Sequence, residues 1–143
     1  MSIANVLLVD DEVDFIETFS ERLEMRNLSI AKAFNGQEAL EVLEKNHTIE
    51  VVILDVKMPG MDGIETLTEI KKKYPLVEVI MLSGHADVES AIEGMKLGAF
   101  DYLMKPCEMD QMIAKVTEAA AKKRHHEEKI IQACIKEITS RRT

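Results

Sequence analysis

A doubly wound α/β fold, with five parallel strands in one sheet and helices on both its faces, is what this sequence of 143 residues predicts. Three observations predict it. Short runs of Val, Ile and Leu recur five times, and each is continuous rather than alternating, as in strands buried on both faces of a parallel sheet. Between them lie longer stretches of helical period, so the order is β–α repeated five times. Serial β–α units require right-handed crossovers, which distribute the helices over both faces.

The first strand is expected at 5–9 and is followed by Phe15, Phe19 and Leu23 at helical spacing, with Ile16 and Thr18 alongside. The second strand, 28–33, leads to Asn35-Gly36, where Asn35 is placed to cap a helix carrying Ala39, Leu40 and Leu43. After the third, 51–54, comes a helix marked by Ile64, Leu67 and Ile70 and stopped at Tyr74-Pro75. The fourth, 77–82, precedes a helix with Val88, Ala91, Ile92 and Met95 that ends at Gly98. A fifth strand, 100–104, leads into a helix that starts near Glu108 and runs through Met112, Ile113 and Val116.

Length and composition fit one globular unit. The chain is about one domain long and can bury roughly two-thirds of its unfolded surface. No apolar run approaches the ~20 residues of a membrane span, and no basic segment leads into an apolar one at the N-terminus. Cys107 and Cys134 have no partner spacing, which argues against a disulfide framework or a zinc site and for a reducing cytoplasm; packing is their simplest role. Net charge is −8, unevenly spread. From Lys122 onward there are seven basic and three acidic residues, net +4, whereas the first 121 residues carry 11 basic and 23 acidic, net −12. A body that acidic repels phosphate backbones, so direct nucleic-acid binding by it is not expected. The domain division expected is therefore 1–121 for the α/β body and 122–143 for a basic helical extension or linker.

In such sheets functional groups gather outside the carboxyl ends of the strands. Asp10-Asp11-Glu12 follow the first strand, Asp55 the third, Ser83-Gly84 the fourth, and Lys105-Pro106 the fifth. Clustered carboxylates in a partly dry cleft repel unless a cation lies among them, and an all-oxygen set without His or Cys selects a hard ion. Few protein ligands leave waters and an open position, which favours magnesium awaiting a phosphate. A carboxylate beside a metal, a lysine and a hydroxyl donor is equipped for in-line attack on phosphorus. Asp55, alone at the tip of the central strand, is the natural nucleophile. The plainer reading of Asp10 and Asp11, capping the first helix, loses ground once the other strand ends are counted.

The segments Val9-Asp10-Asp11-Glu12, Ile53-Leu54-Asp55-Val56-Lys57-Met58-Pro59-Gly60-Met61-Asp62-Gly63, Met81-Leu82-Ser83-Gly84-His85 and Gly98-Ala99-Phe100-Asp101-Tyr102-Leu103-Met104-Lys105-Pro106 together resemble the receiver domain of two-component response regulators. The likeness runs from residue 4 to about 121. It implies the flavodoxin-like strand order 2-1-3-4-5, and Asp55 as the phospho-acceptor. It also implies Mg2+ held by Asp10, Asp11, Asp55 and the backbone carbonyl of Lys57, Lys105 and Ser83 as partners of the phosphoryl group, and Tyr102 as the aromatic switch. A sensor histidine kinase or phosphotransfer protein is the implied donor. The implied output is the face of the fourth helix, fifth strand and fifth helix, acting on a partner or an output domain. Dimerisation through that face on phosphorylation is left open. Lys105-Pro106 is the best placed bond for a cis peptide.

Lys57 and His85, each two residues past a site residue, are expected to border the path of hydrolytic water and to tune phosphate lifetime. A magnesium-dependent hydrolase using an aspartyl phosphate is the rival reading, but such enzymes usually carry an acid two positions after the nucleophile, where this chain has Lys57. A phosphorylation-independent interaction module is the other rival. No GxxxxGK[ST] or GxGxxG follows the first strand, which counts against a nucleotide or flavin binder. Beyond the body, Ile131, Cys134, Ile135 and Ile138 form a helical stripe with Ile130 beside it. It reads either as a continuation of the fifth helix that folds back or frays, or as a connector or dimer helix.

Overall fold

The computed structural model describes residues 2–58, 60–84 and 88–141. The elements alternate without exception: β1 (Asn5–Val9), α1 (Val13–Glu24), β2 (Ser29–Ala33), α2 (Gly36–Lys45), β3 (Val51–Leu54), α3 (Gly63–Lys73), β4 (Glu78–Ser83), α4 (Val88–Lys96), β5 (Asp101–Met104) and α5 (Met109–Arg141). All strand pairs are parallel and the order is β2-β1-β3-β4-β5. The predicted fold class and strand order are those found.

Alternate strand residues point to opposite faces and build two cores. Val6, Leu8, Ile53, Ile80 and Leu82 pack against Ile16 and Leu23 of α1 and Met112 and Val116 of α5. Leu7, Val52, Leu54, Val79 and Met81 pack against Leu43 of α2 and Leu67 and Ile70 of α3. Asn35 caps α2 as expected, its Oδ1 accepting the Glu38 N–H at 2.8 Å, and Asp62 does the same for α3 through the Glu65 N–H. Gly98, at φ +103°, ends α4 in a conformation that suits glycine. The Lys105-Pro106 peptide is cis.

Three expectations need correction. Burial on both faces holds for β1, β3 and β4, but β2 and β5, at the sheet edges, are half open, with Met104 exposed. An edge strand has one neighbour and incomplete helix cover, so a continuous apolar run there is not fully enclosed. On α4 the apolar stripe points outward: Val88, Ile92 and Met95 are exposed. The helix instead turns its buried Gly94 toward Met81, Ile64 and Leu67. Finally, Cys134 is exposed, whereas Cys107 is half buried against the core of α1 and α5.

The extension does not fold back. α5 continues as one helix of 33 residues through the polar octet at 122–129, and nearly all of 125–141 is exposed.

Candidate functional site

Register brings the acids together. Val9 of β1 and Leu54 of β3 are paired, so the next residues, Asp10 and Asp55, emerge side by side at the carboxyl edge. β1 and β3 are also where the strand order reverses, the crevice in which open α/β sheets bind ligands. On the other side of β3, Ser83 pairs with Met104, and Lys105 follows at once, its N–H donating to the Ser83 carbonyl at 2.8 Å.

Asp10, Asp11 and Asp55 each present a carboxylate oxygen within 4.8 Å of the others. Asp10 and Asp55 are buried and Asp11 is exposed, so the cluster opens to solvent on one side. Burial, reinforced by the charge of Asp10, drives the Asp55 carboxyl up to about 7, with Lys105 and a hydrogen bond from Val56 working against it. Asp10 is raised as well, mainly by burial, while its bond to Lys105 opposes the shift. Ionised carboxylates this close and this dry are held at a cost unless positive charge balances them.

Lys105 supplies part of that charge. Its Nζ lies 2.6 Å from Asp10 Oδ2, 3.5 Å from Glu12 Oε1, and 4.1 Å above the centre of the Phe15 ring. Burial works to lower the lysine pKa, but the hydrogen bond and charge of Asp10 outweigh it and raise it, so the ammonium persists. Phe15 stacks on Phe19, with centroids 5.0 Å apart, which holds its face toward the lysine. This role of Phe15 was not legible in the sequence, where it reads as one member of a core stripe.

The other expected residues fall around this centre. Ser83 ends β4 and is fully buried. Tyr102 is half buried on β5, at the border of the second core. Lys57 is exposed, between the buried Val56 and Met58. His85 and Pro59 lie outside the described residues. A cavity of about 660 Å³ opens beside the site between α3 and α4, lined by Lys57, Met58, Asp62, Glu65, Ser90 and Glu93 among others.

Gly63 is a positioning residue that the motif reading quoted without a reason. Its N–H donates to the Val56 carbonyl at 2.8 Å, and a Cβ there would run into the carbonyl of Asp55 and the backbone of Val56. The start of α3 thus presses against the strand end that carries Asp55. An Asp-Gly pair soon after a strand is the signal that finds it.

The donor set fits a hard divalent cation: three carboxylates, oxygen only, converging from two strand ends, with an excess of negative charge that one lysine does not cancel.

Comparison with known proteins agrees with this geometry. The sequence profile described as response regulator receiver domain matches residues 6–117. A response regulator of Rickettsia bellii described as NtrX-like is 38% identical over 121 residues, covering 83% of this chain and 25% of that protein. The DNA-binding transcriptional regulator NtrC of Escherichia coli K12 is 36% identical over 123 residues, covering 86% of this chain and again 25% of the relative. The chain thus spans about a quarter of the length of these relatives. Among solved structures, a receiver domain protein from Clostridium thermocellum superposes with a TM-score of 0.81 at 37% identity, covering 85% of this chain and 97% of that one. Since the match runs from β1 into α5 and takes in every strand end that frames the crevice, the chain belongs to the response regulator receiver domains.

Proposed function

We propose that Asp55 accepts a phosphoryl group from the phosphohistidine of a sensor kinase or phosphotransfer protein, and that the resulting acyl phosphate resets the α4–β5–α5 face. The observation that carries this reading is the convergence of Asp10, Asp11 and Asp55 within 4.8 Å beside the Lys105 ammonium. Asp10, Asp11, Asp55 and the backbone carbonyl of Lys57 hold Mg2+, which, when bound, neutralises charge on the acids and on the incoming phosphoryl oxygens.

The chain's own residues then act in order. An Asp55 oxygen attacks phosphorus in line as the donor imidazole leaves. Lys105 exchanges its bond to Asp10 for one to a phosphoryl oxygen, and the Ser83 hydroxyl donates to another. Tyr102 turns inward as Ser83 is drawn toward the phosphate. These few charge-assisted bonds bias a two-state element, and the exposed apolar residues of α4 with Met104 of β5 form the surface that reports the change. Lys57, exposed beside the acceptor, shapes the approach of hydrolytic water.

The receiver unit is taken as 1–121 and the extension as 122–143, leading to an output domain or effector. NtrC is described as a DNA-binding transcriptional regulator, and that description supports an output of this kind for a longer chain. No helix among the described residues is long and apolar enough to cross a membrane; the proposed place of work is the cytoplasm.

Intact-mass measurement with acetyl phosphate and MgCl2 tests the reading. One phosphoryl adduct is expected, absent without magnesium and absent in Asp55→Asn. An adduct that survives this substitution at another aspartate overturns the assignment, and sustained turnover of phosphate esters favours a hydrolase instead.

A further inference from the structure

We propose that Phe15 is a positioning residue for Lys105: its ring face holds the ammonium over the crevice while leaving an N–H group free for an incoming phosphoryl oxygen. This rests on Asp55 being the phospho-acceptor and adds a residue to the machinery around it.

Local sequence places the ring. α1 begins directly after Asp10-Asp11-Glu12, so Phe15 lies in its first turn, and Phe19 follows one turn later on the same face. Phe19 is buried in the core that α1 shares with α5, and the two rings stack at 17° with their centroids 5.0 Å apart. The buried ring fixes the plane of the half-buried one above it, so Phe15 offers a face and not an edge. Lys105 reaches that face from the end of β5. Its stem runs past Gly84, where no side chain obstructs it, and Nζ stops 4.1 Å from the ring centre, within cation–π range.

An ammonium has three N–H donors and no acceptor. Asp10 Oδ2 takes one at 2.6 Å, and Glu12, whose side chain is 67% exposed, stands off at 3.5 Å. The ring attracts the charge from another side through its π face, without a carboxylate's claim on a donor. An aliphatic group in the same space would touch the lysine but not attract it, and a further acid would take up a second N–H. An aromatic face fixes Nζ and still leaves a donor to give.

The contact also outlasts ligation of the acids. When they hold a cation, Asp10 is shared with it, whereas the ring is no ligand for a hard ion and keeps its hold on the lysine. A lysine stem is flexible, and its freedom has to be lost before the ammonium can meet charge on the phosphoryl oxygens. Phe15 removes part of that freedom in advance, which is how a group outside the reacting atoms speeds the reaction.

Phosphorylation of the full chain by acetyl phosphate in saturating MgCl2, followed by intact mass over time, tests the proposal with the ring altered by degrees. Phe15→Leu should slow adduct formation roughly threefold to tenfold. Mono- and trifluorinated phenylalanine at the same position keep the shape but drain charge from the ring face, so the rate should fall stepwise with fluorine number while Tm stays constant. A ring that served packing alone would not follow that series, and the series carries the test if Phe15→Leu fails to fold. In NMR spectra without phosphodonor, the ring current should move the Lys105 ε-methylene protons upfield, with and without MgCl2. A wild type that forms no adduct overturns the acceptor reading and this proposal with it. An adduct that forms at a rate indifferent to fluorination, or ε-methylene protons at their ordinary position, overturns the role of Phe15 alone.

Discussion

At the scale of single residues, Lys105 and Asp55 set the character of the site. Lys105 is committed to Asp10 and the Phe15 face, which leaves Asp55 with more negative neighbours than positive ones. Its carboxyl is raised to about 7 against an ordinary 3.8, so above pH 3.8 the metal-free folded state loses stability progressively and reaches its full penalty above about 7. Asp55→Asn removes that penalty. The variant is expected to gain on the order of 1–2 kcal/mol at pH 8 without metal, and to lose most of the rise in Tm that MgCl2 gives the wild type. Thermal melts with and without MgCl2 check both. Gly63→Ala acts differently: its Cβ meets the backbone of Asp55 and Val56, so a loss of about 1–3 kcal/mol in urea unfolding is expected, together with slower phosphorylation as the acceptor is displaced.

Among the elements, α5 joins the site edge of the sheet to the opposite one. Its upper half is packed by Met112, Val116, Ala119 and Ala120, and its exit is tied by Arg124 and Lys122 to two buried acids, Glu50 and Glu78. Burial pushes the Glu50 pKa up, but hydrogen bonds from Arg124 and from the Asn5 N–H, with the Arg124 charge, overcome it and hold the pKa below the ordinary 4.5. A depressed acid contributes stability that is fully present above pH 4.5 and lost as pH falls through its folded value. Glu50→Gln should therefore lower stability at neutral pH by about 1–2 kcal/mol, a figure reduced because the Arg124 side chain is half exposed, and should flatten the decline below pH 4.5. Denaturant midpoints from pH 3 to 7, a range set by the unfolded value of the acid, check the sign. By contrast, α4 has an apolar stripe turned to solvent. Helical period located this helix in the sequence but not its buried side, where Gly94 lies, a residue with no hydrophobicity to read.

For the molecule as a whole, protection should follow sheet position. Amides of β1, β3 and β4, covered on both faces, are expected to exchange last, those of the edge strands β2 and β5 earlier, and those of 125–141 first. Hydrogen exchange read by mass spectrometry checks the ranking.

The order of elements, the parallel sheet and the identity of the strand-end acids, serine and lysine could all be read in the sequence. Each depends on local period or on the rule that loops after parallel strands share an edge, and both are written in consecutive residues. What needed three dimensions was any property shared by residues far apart along the chain. Strand register decided that Asp10 and Asp55 stand together, and packing decided that Phe15 faces Lys105 and that the stripe of α4 faces water. The clamp at Glu50 and Glu78 followed from where α5 leaves the sheet. These are contacts between distant segments, whose energies depend on distance and burial, and neither quantity exists until the chain has folded.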